Sequence, residues 1–169
     1  VQCDGISESL YINNRLSQQV KEFTLIVCFQ IHEIPQENDR FFEKEYKDAT
    51  EDPYVSWGFE FIGGKIRLLA ARTPSYVGNI LDWSVTLNQD QWYTLAGVYS
   101  ATSGFAIYSD GVLVASDNTR TGDIIYYSTT GNQIDIWGQL NTSYYIKATI
   151  KYALFFGRSL STAEIAHLY

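Results

Sequence analysis

The sequence has no methionine, two cysteines, two histidines and three prolines in 169 residues. Cys3 and Cys28 are too few for a disulfide framework or a structural zinc site. Two buried thiols on strands are expected, because free cysteine packs as a small hydrophobe; one disulfide stays open. With only His32 and His167, a histidine-rich metal centre is excluded. A chain with no methionine does not start at an initiator codon, and it reads as a processed product or an excised domain. Basic residues are also scarce: 12 Lys and Arg stand against 19 Asp and Glu, a net charge of −7. Nucleic acid and anionic membranes both need a basic face, so neither is expected as the main partner. No apolar run approaches the roughly 20 residues of a membrane span and no signal peptide is legible, so no membrane insertion is expected. No Ser-His-Asp set is legible, and Gly63-Gly64 reads as a hairpin turn, not a phosphate loop.

What is abundant is aromatic. Phe, Trp and Tyr make up 15% of the chain and charged residues 18%, which excludes disorder. The length predicts one domain over residues 1–169 with a core of its own. Strict alternation places Phe23, Leu25, Val27, Phe29 and Ile31 on one strand face, with Thr24, Ile26, Cys28, Gln30 and His32 on the other. Trp57, Phe59 and Phe61 alternate, turn at Gly63-Gly64 and return through Ile66, Leu68 and Ala70 as a hairpin. The stretch 92–99 is apolar on both faces, as a central strand is. Asp110-Gly111, between two short strand patterns, predicts a two-residue type I′ turn. Further strands are expected within 133–137 and 144–156. One helix is legible, at the C-terminus. Ser161 and Glu164 form a capping box and Leu160 with Ile165 a hydrophobic staple, so a short helix plugging one end of a sandwich is expected. Many short strands with intervening turns predict an all-β antiparallel sandwich or barrel.

One segment departs from this pattern. Residues 33–53 carry eight carboxylates against Arg40, Lys44 and Lys47. A divalent-cation loop needs convergent oxygens that a charge count does not show. A solvated loop or a charged edge strand is the expectation.

Five stretches, in order, carry a family resemblance: Asp4-Gly5 followed by Ser9-Leu10-Tyr11-Ile12; Phe23 to Phe29; Gln91-Trp92-Tyr93 through Val98-Tyr99; Ala106 through Asp110-Gly111 to Val114; and Ala153 to Tyr169. Together they resemble laminin-G-like, concanavalin A-like lectin/glucanase domains over nearly the whole chain. The resemblance implies a two-sheet jelly roll with one concave and one convex sheet. It implies carbohydrate binding or adhesion, as a module of a larger secreted, cell-surface or virion-surface protein. It also implies that Trp92 is a core residue. Several such domains hold calcium near their last strand, where this chain reads Ala148-Thr149-Ile150-Lys151-Tyr152. Lysine cannot ligate calcium, so no cofactor is expected, and Lys151 is expected to offset a carboxylate such as Asp4.

Related enzymes leave two tests. Glucanases of this fold present three carboxylates on alternate residues of one strand. The nearest match is Gln133-Ile134-Asp135-Ile136-Trp137, which lacks both outer carboxylates. Alginate-type lyases carry Gln-Ile-His, matched by Gln30-Ile31-His32, and a later tyrosine whose place is taken by Lys151. No catalytic residue is therefore assigned. The candidate ligand contacts are Trp137, Asp135 and Gln133 on one face, Gln30 and His32 lining the same concavity, and Trp83 beside Asp82. The expected function is non-catalytic recognition of a carbohydrate or other cell-surface ligand. The alternatives are a structural or protein-interaction module without a sugar site, and a polysaccharide lyase-like enzyme.

Overall fold

The computed structural model describes residues 2–4, 10–12, 19–36, 39–45, 55–72, 79–126, 134–136 and 146–169. These residues form strands β1 (Gln2–Asp4), β2 (Leu10–Ile12), β3 (Glu22–Ile31), β4 (Asp39–Glu45), β5 (Val55–Ile62) and β6 (Lys65–Ala70). They continue with β7 (Ile80–Ser84), β8 (Trp92–Ser100), β9 (Gly104–Ser109), β10 (Val112–Asp117), β11 (Ile134–Ile136), β12 (Lys147–Phe156) and helix α1 (Thr162–His167). Two six-stranded sheets result. The first runs β1-β12-β3-β8-β9-β10 and the second β2-β11-β4-β5-β6-β7, with antiparallel pairing throughout.

Alternation decides which side chains meet between the sheets. Phe23, Leu25, Val27, Phe29 and Ile31 of β3 face inward with Tyr93, Leu95 and Tyr99 of β8. Trp57, Phe59 and Phe61 of β5 face them from the second sheet, beside Ile66, Leu68 and Ala70 of β6. Trp57 is fully buried and bridges the layers. Its ring stacks on Phe155 of β12 at 5.0 Å between centroids and meets Phe23 at 5.6 Å. The two expected turns form as read: Gly63 and Gly64 have φ of 58° and 73°, and Asp110 and Gly111 have φ of 50° and 79°. Both are the double positive φ of a type I′ hairpin.

The helix has its expected cap. The Ser161 hydroxyl accepts from the Glu164 N–H, and the Glu164 carboxylate accepts from the Ser161 N–H at 2.8 Å. Its position corrects the expectation that it plugs an end. Leu160 and Ile165 pack on Ile26, Ala96, Val98 and Tyr108, which all point outward from the first sheet. The helix therefore lies on that sheet's outer face. Those outward residues are apolar, and burying them needs a cover. Thr24 fixes the approach: its hydroxyl donates to the Arg158 carbonyl and accepts from the Leu160 N–H, both at 2.9 Å.

A second correction concerns the charged segment. Residues 39–45 are β4, an interior strand between β11 and β5, not an edge. Arg40, Glu43 and Lys44 are all at least nine-tenths buried. Arg40 pairs with Glu60 of the neighbouring strand and with Glu43 of its own, which makes an interior position tolerable for these charges.

Two outcomes follow from this packing. A Cβ on Gly97 would stand 2.5 Å from Phe59 Cζ and 2.7 Å from Leu68 Cδ1, across the gap between sheets. Gly97→Ala should therefore lower stability by about 1–3 kcal/mol in urea denaturation; an unchanged midpoint would contradict this close approach. Hydrogen bonds from Arg158, then from the Ser161 N–H and hydroxyl, hold the Glu164 carboxyl at about 2 instead of 4.5. A depressed carboxyl stabilises above its ordinary pKa, and the contribution fades as pH falls from 4.5 toward 2. Amide exchange at Ile165 and Leu168 should accelerate across that window, and pH-independent protection would refute it.

Candidate functional site

The outer face of the first sheet has two halves. Leu154, Ile26, Ala96 and Tyr108 form one transverse row, and Phe156, Thr24, Val98 and Ala106 the next. The helix covers that half. The other half carries Thr149, Gln30 and Trp92 in one row and Tyr152, Cys28 and Thr94 in the next. Here the sheet holds a pocket of about 540 Å³ lined by Cys28, Trp92, Thr94, Asp110, Lys151 and Tyr169.

Each wall has a local cause. In β8, Tyr93, Leu95, Gly97 and Tyr99 occupy the inward parity, so Trp92 must point out, and it is 44% exposed. This corrects the expectation of a core tryptophan. Lys151 falls at a β-bulge: the register slips between Ile150 and Tyr152, leaving Lys151 without an opposite residue on β3. Bulges re-aim side chains, and this one adds a lysine to the pocket wall. Asp110 is held by reciprocal bonds: its N–H donates to the Thr94 carbonyl at 2.8 Å, and its carboxylate accepts from the Thr94 N–H at 2.9 Å. Tyr169 lies over the hairpin turn, where a Cβ on Gly111 would come within 3.1 Å of its ring. The Tyr152 hydroxyl ties down that chain end by donating to the Leu168 carbonyl at 3.1 Å. Burial pushes the Tyr152 phenol up. The floor is the buried free thiol of Cys28.

Gln30 and His32 border this pocket in a positioning role. The Gln30 amide donates to the Asp90 carbonyl at 2.6 Å, and the two ring nitrogens of His32 meet the Asp90 carboxylate at 2.8 Å and the Thr149 hydroxyl at 2.9 Å. The Asp90 N–H donates to the Ile31 carbonyl at 2.8 Å, and the Gln89 amide to the His32 carbonyl at 3.0 Å. These bonds clamp the segment that delivers Trp92. His32 is thus held by a carboxylate on one ring nitrogen and a hydroxyl on the other.

The outer face of the second sheet is charged but sealed. Arg40 of β4 pairs with Glu60 of β5 and lies 3.2 Å from Glu43. Arg67 of β6 meets Glu60 at 3.4 Å and grips Asp82 of β7 with two nitrogens, at 2.6 and 3.1 Å. Burial alone would raise the Asp82 carboxyl, yet the Arg67 fork and Lys65 hold it below its ordinary range. Asp135 stands opposite Glu43 across the β11–β4 pair. Glu43, Glu60 and Asp135 expose 1% or less. Glu43 and Glu60, desolvated and paired to arginine, form an internal network rather than an open binding surface.

The expected contacts therefore separate. Gln30 and His32 lie on the outer side of the first sheet and Asp135 on the outer side of the second, so they line no common concavity. Trp83 turns inward: it stands opposite Ile66 and packs on the core, because its outward neighbours on β7 are Asp82 and Ser84. Gln133 and Trp137 lie outside the described residues. The register sets Asp4 opposite Lys147, and the side chain of Asp4, on which the expected offset by Lys151 depends, lies outside the described residues. Sequence reasoning missed Tyr169 and Asp110 as pocket residues and assigned Trp92 inward. Parity against Tyr93 was the available signal for Trp92; nothing local announces the bulge at Lys151.

The architecture is that of a concanavalin A-like β sandwich. The chain belongs to the concanavalin A-like lectin/glucanases superfamily, whose family model matches residues 4–166. Among solved structures it is similar to the Ruminococcus gnavus IT-sialidase CBM40 bound to α2,3 sialyllactose, with a TM-score of 0.76 and 11% identity over 99% of this chain and 94% of that one. It is similar to Trypanosoma rangeli sialidase in complex with the inhibitor DANA, with a TM-score of 0.69 and 15% identity over 99% of this chain. It spans only 26% of that sialidase's length. It also resembles the heptameric SAP-like pentraxin of Limulus polyphemus, with a TM-score of 0.60 and 15% identity over 87% of this chain and 69% of that one. A comparison with curated protein sequences returned no significant match. Among the described residues, no group of three or more His, Cys, Asp or Glu is arranged to hold a metal ion.

The sealed network makes a direct forecast. Glu60→Ala leaves Arg40 and Arg67 without their shared carboxylate and should cost about 3 kcal/mol or more in chemical denaturation. A loss under about 1 kcal/mol, the range of exposed pairs, would show that the face is solvated.

Proposed function

We propose that this protein is a non-catalytic carbohydrate-binding domain working in an extracellular or virion-surface setting, and that its sugar sits in the pocket beneath Trp92. The observation that carries this reading is the pocket itself. An outward tryptophan and a terminal tyrosine flank a concavity whose remaining walls are Thr94, Asp110 and Lys151. Apolar surface with a few fixed polar groups is the general form of a small-ligand site. The indole supplies a face for the apolar side of a pyranose, and the hydroxyl, carboxylate and ammonium groups suit sugar hydroxyls. Carbohydrate binding is supported at a coarse level by the likeness to the CBM40 domain bound to sialyllactose. Among the described residues, no helix is long and apolar enough to cross a membrane. Non-catalysis is part of the proposal and is supported by the burial of Glu43, Glu60 and Asp135 on the second sheet.

A second reading has its own observation. Val112, Leu113 and Leu168 are exposed apolar side chains near the same pocket, a composition that also suits a protein partner. One experiment separates the two. A glycan array of the protein, run with Ca²⁺ and with EDTA, should show binding to a defined sugar class that survives EDTA. Trp92→Ala should reduce it by about tenfold or more, since aromatic anchors carry a large share of binding energy. Binding lost in EDTA would overturn the metal-free part. A blank array under both conditions would favour the protein-partner reading.

A further inference from the structure

The charges around the pocket are unevenly matched. Lys21 pairs with Asp123, Lys65 and Arg67 with Asp82, Arg120 with Asp117, Lys147 with Glu33 and Arg158 with Glu164. Arg40 meets Glu43 and Glu60, Arg72 donates to the Thr121 carbonyl, and Lys44 is fully buried with its own partners. Among the described lysines and arginines, only Lys151 has an ammonium or guanidinium group that makes no ion pair and no hydrogen bond. That is unexpected in a chain of net charge −7, where carboxylates outnumber bases. That free cation among the described residues is also the one that the β12 bulge places on the pocket wall. Asp110, the carboxylate lining the same pocket, is occupied by the Thr94 N–H and forms no salt bridge with Lys151. Nearby Asp90 is engaged by His32.

We propose that the pocket selects a sugar bearing a negatively charged substituent, a carboxylate or a sulfate ester, and that Lys151 is the residue that reads the charge. This rests on the carbohydrate reading of the pocket. Trp92 and Tyr169 hold the ring whatever its charge. Lys151 adds an attraction that only an anionic sugar receives, and it keeps that attraction because no carboxylate among the described residues pairs with the ammonium. The excess of acidic residues elsewhere disfavours anions at long range. Recognition therefore depends on this local contact, within about one Debye length of ~8 Å at physiological salt.

The test is calorimetric titration with three ligands of one scaffold: a uronic acid, its neutral parent sugar and a sulfated form. Wild type, Lys151→Met, Lys151→Arg and Trp92→Ala are compared. Wild type should prefer one or both charged sugars over the neutral parent by about fivefold, the reach of a solvent-accessible ion pair. Which charged sugar is preferred identifies the substituent. Lys151→Met should erase the preference while retaining the neutral sugar, Lys151→Arg should restore it, and raised salt should shrink it in wild type alone. Trp92→Ala should weaken all three sugars alike. Equal wild-type affinity for charged and neutral sugars overturns the inference and leaves the carbohydrate reading standing. A preference that survives Lys151→Met overturns it as well. Failure of every sugar to bind wild type removes both.

Discussion

The stack of Trp57 on Phe155 and Phe23 is the contact on which the rest of the molecule depends. It joins the two sheets through the largest side chain of the core. Once that ring faces inward, period-two alternation settles the face of every other residue on β5, and pairing transmits the choice to β4 and β6. The outer faces are defined by what the core excludes. Gly97, which leaves room for Phe59 and Leu68, shows how closely the layers approach at this level.

The two outer faces solve the same problem by different chemistry. On the second sheet the outward positions of β4 to β7 carry Arg40, Glu60, Arg67 and Asp82, and those charges pair in a network buried at Glu60 and partly exposed at Asp82. On the first sheet the outward positions of β3, β8 and β9 are apolar in one half, and the capped helix covers them. The helix spans only six residues, so its cover stops short of Trp92 and Thr94. The pocket is the part of the sheet that the helix does not reach. It is bounded by the chain's last residue on one side and a bulge on the other. Clamping of the segment before Trp92 by Gln30 and His32 gives that opening a fixed wall.

Much of the fold was legible because it rests on local rules. Alternation over β3 and β5, the two type I′ turns and the capping box are each encoded within ten or so residues, and each appears as read. The charged run over β4 was not legible as an interior strand. Arg40 is tolerable there because β5 brings Glu60 from 20 residues away, and Arg67 of β6 meets the same carboxylate. Trp83 and Trp92 exchange the roles expected of them. The expectation for Trp92 came from the family resemblance and that for Trp83 from its neighbour Asp82, whereas the facing side is set by register against the neighbouring strand.

The sequence alone determined an all-β sandwich with a capped C-terminal helix, a buried aromatic core and a shortage of basic charge, since periodicity, turn chemistry and composition are local properties of the chain. Tertiary structure decided that Gln30 and His32 lie on the opposite side of the sandwich from Asp135 and that the helix covers a sheet face. It also brought Lys151, Asp110, Trp92 and Tyr169 to one pocket. These residues come from β12, the β9–β10 turn, β8 and the chain terminus, and nothing in their spacing along the chain relates them. Their meeting depends on strand order, on one slipped register and on how far a short helix extends, and those are set only when two whole sheets pack together.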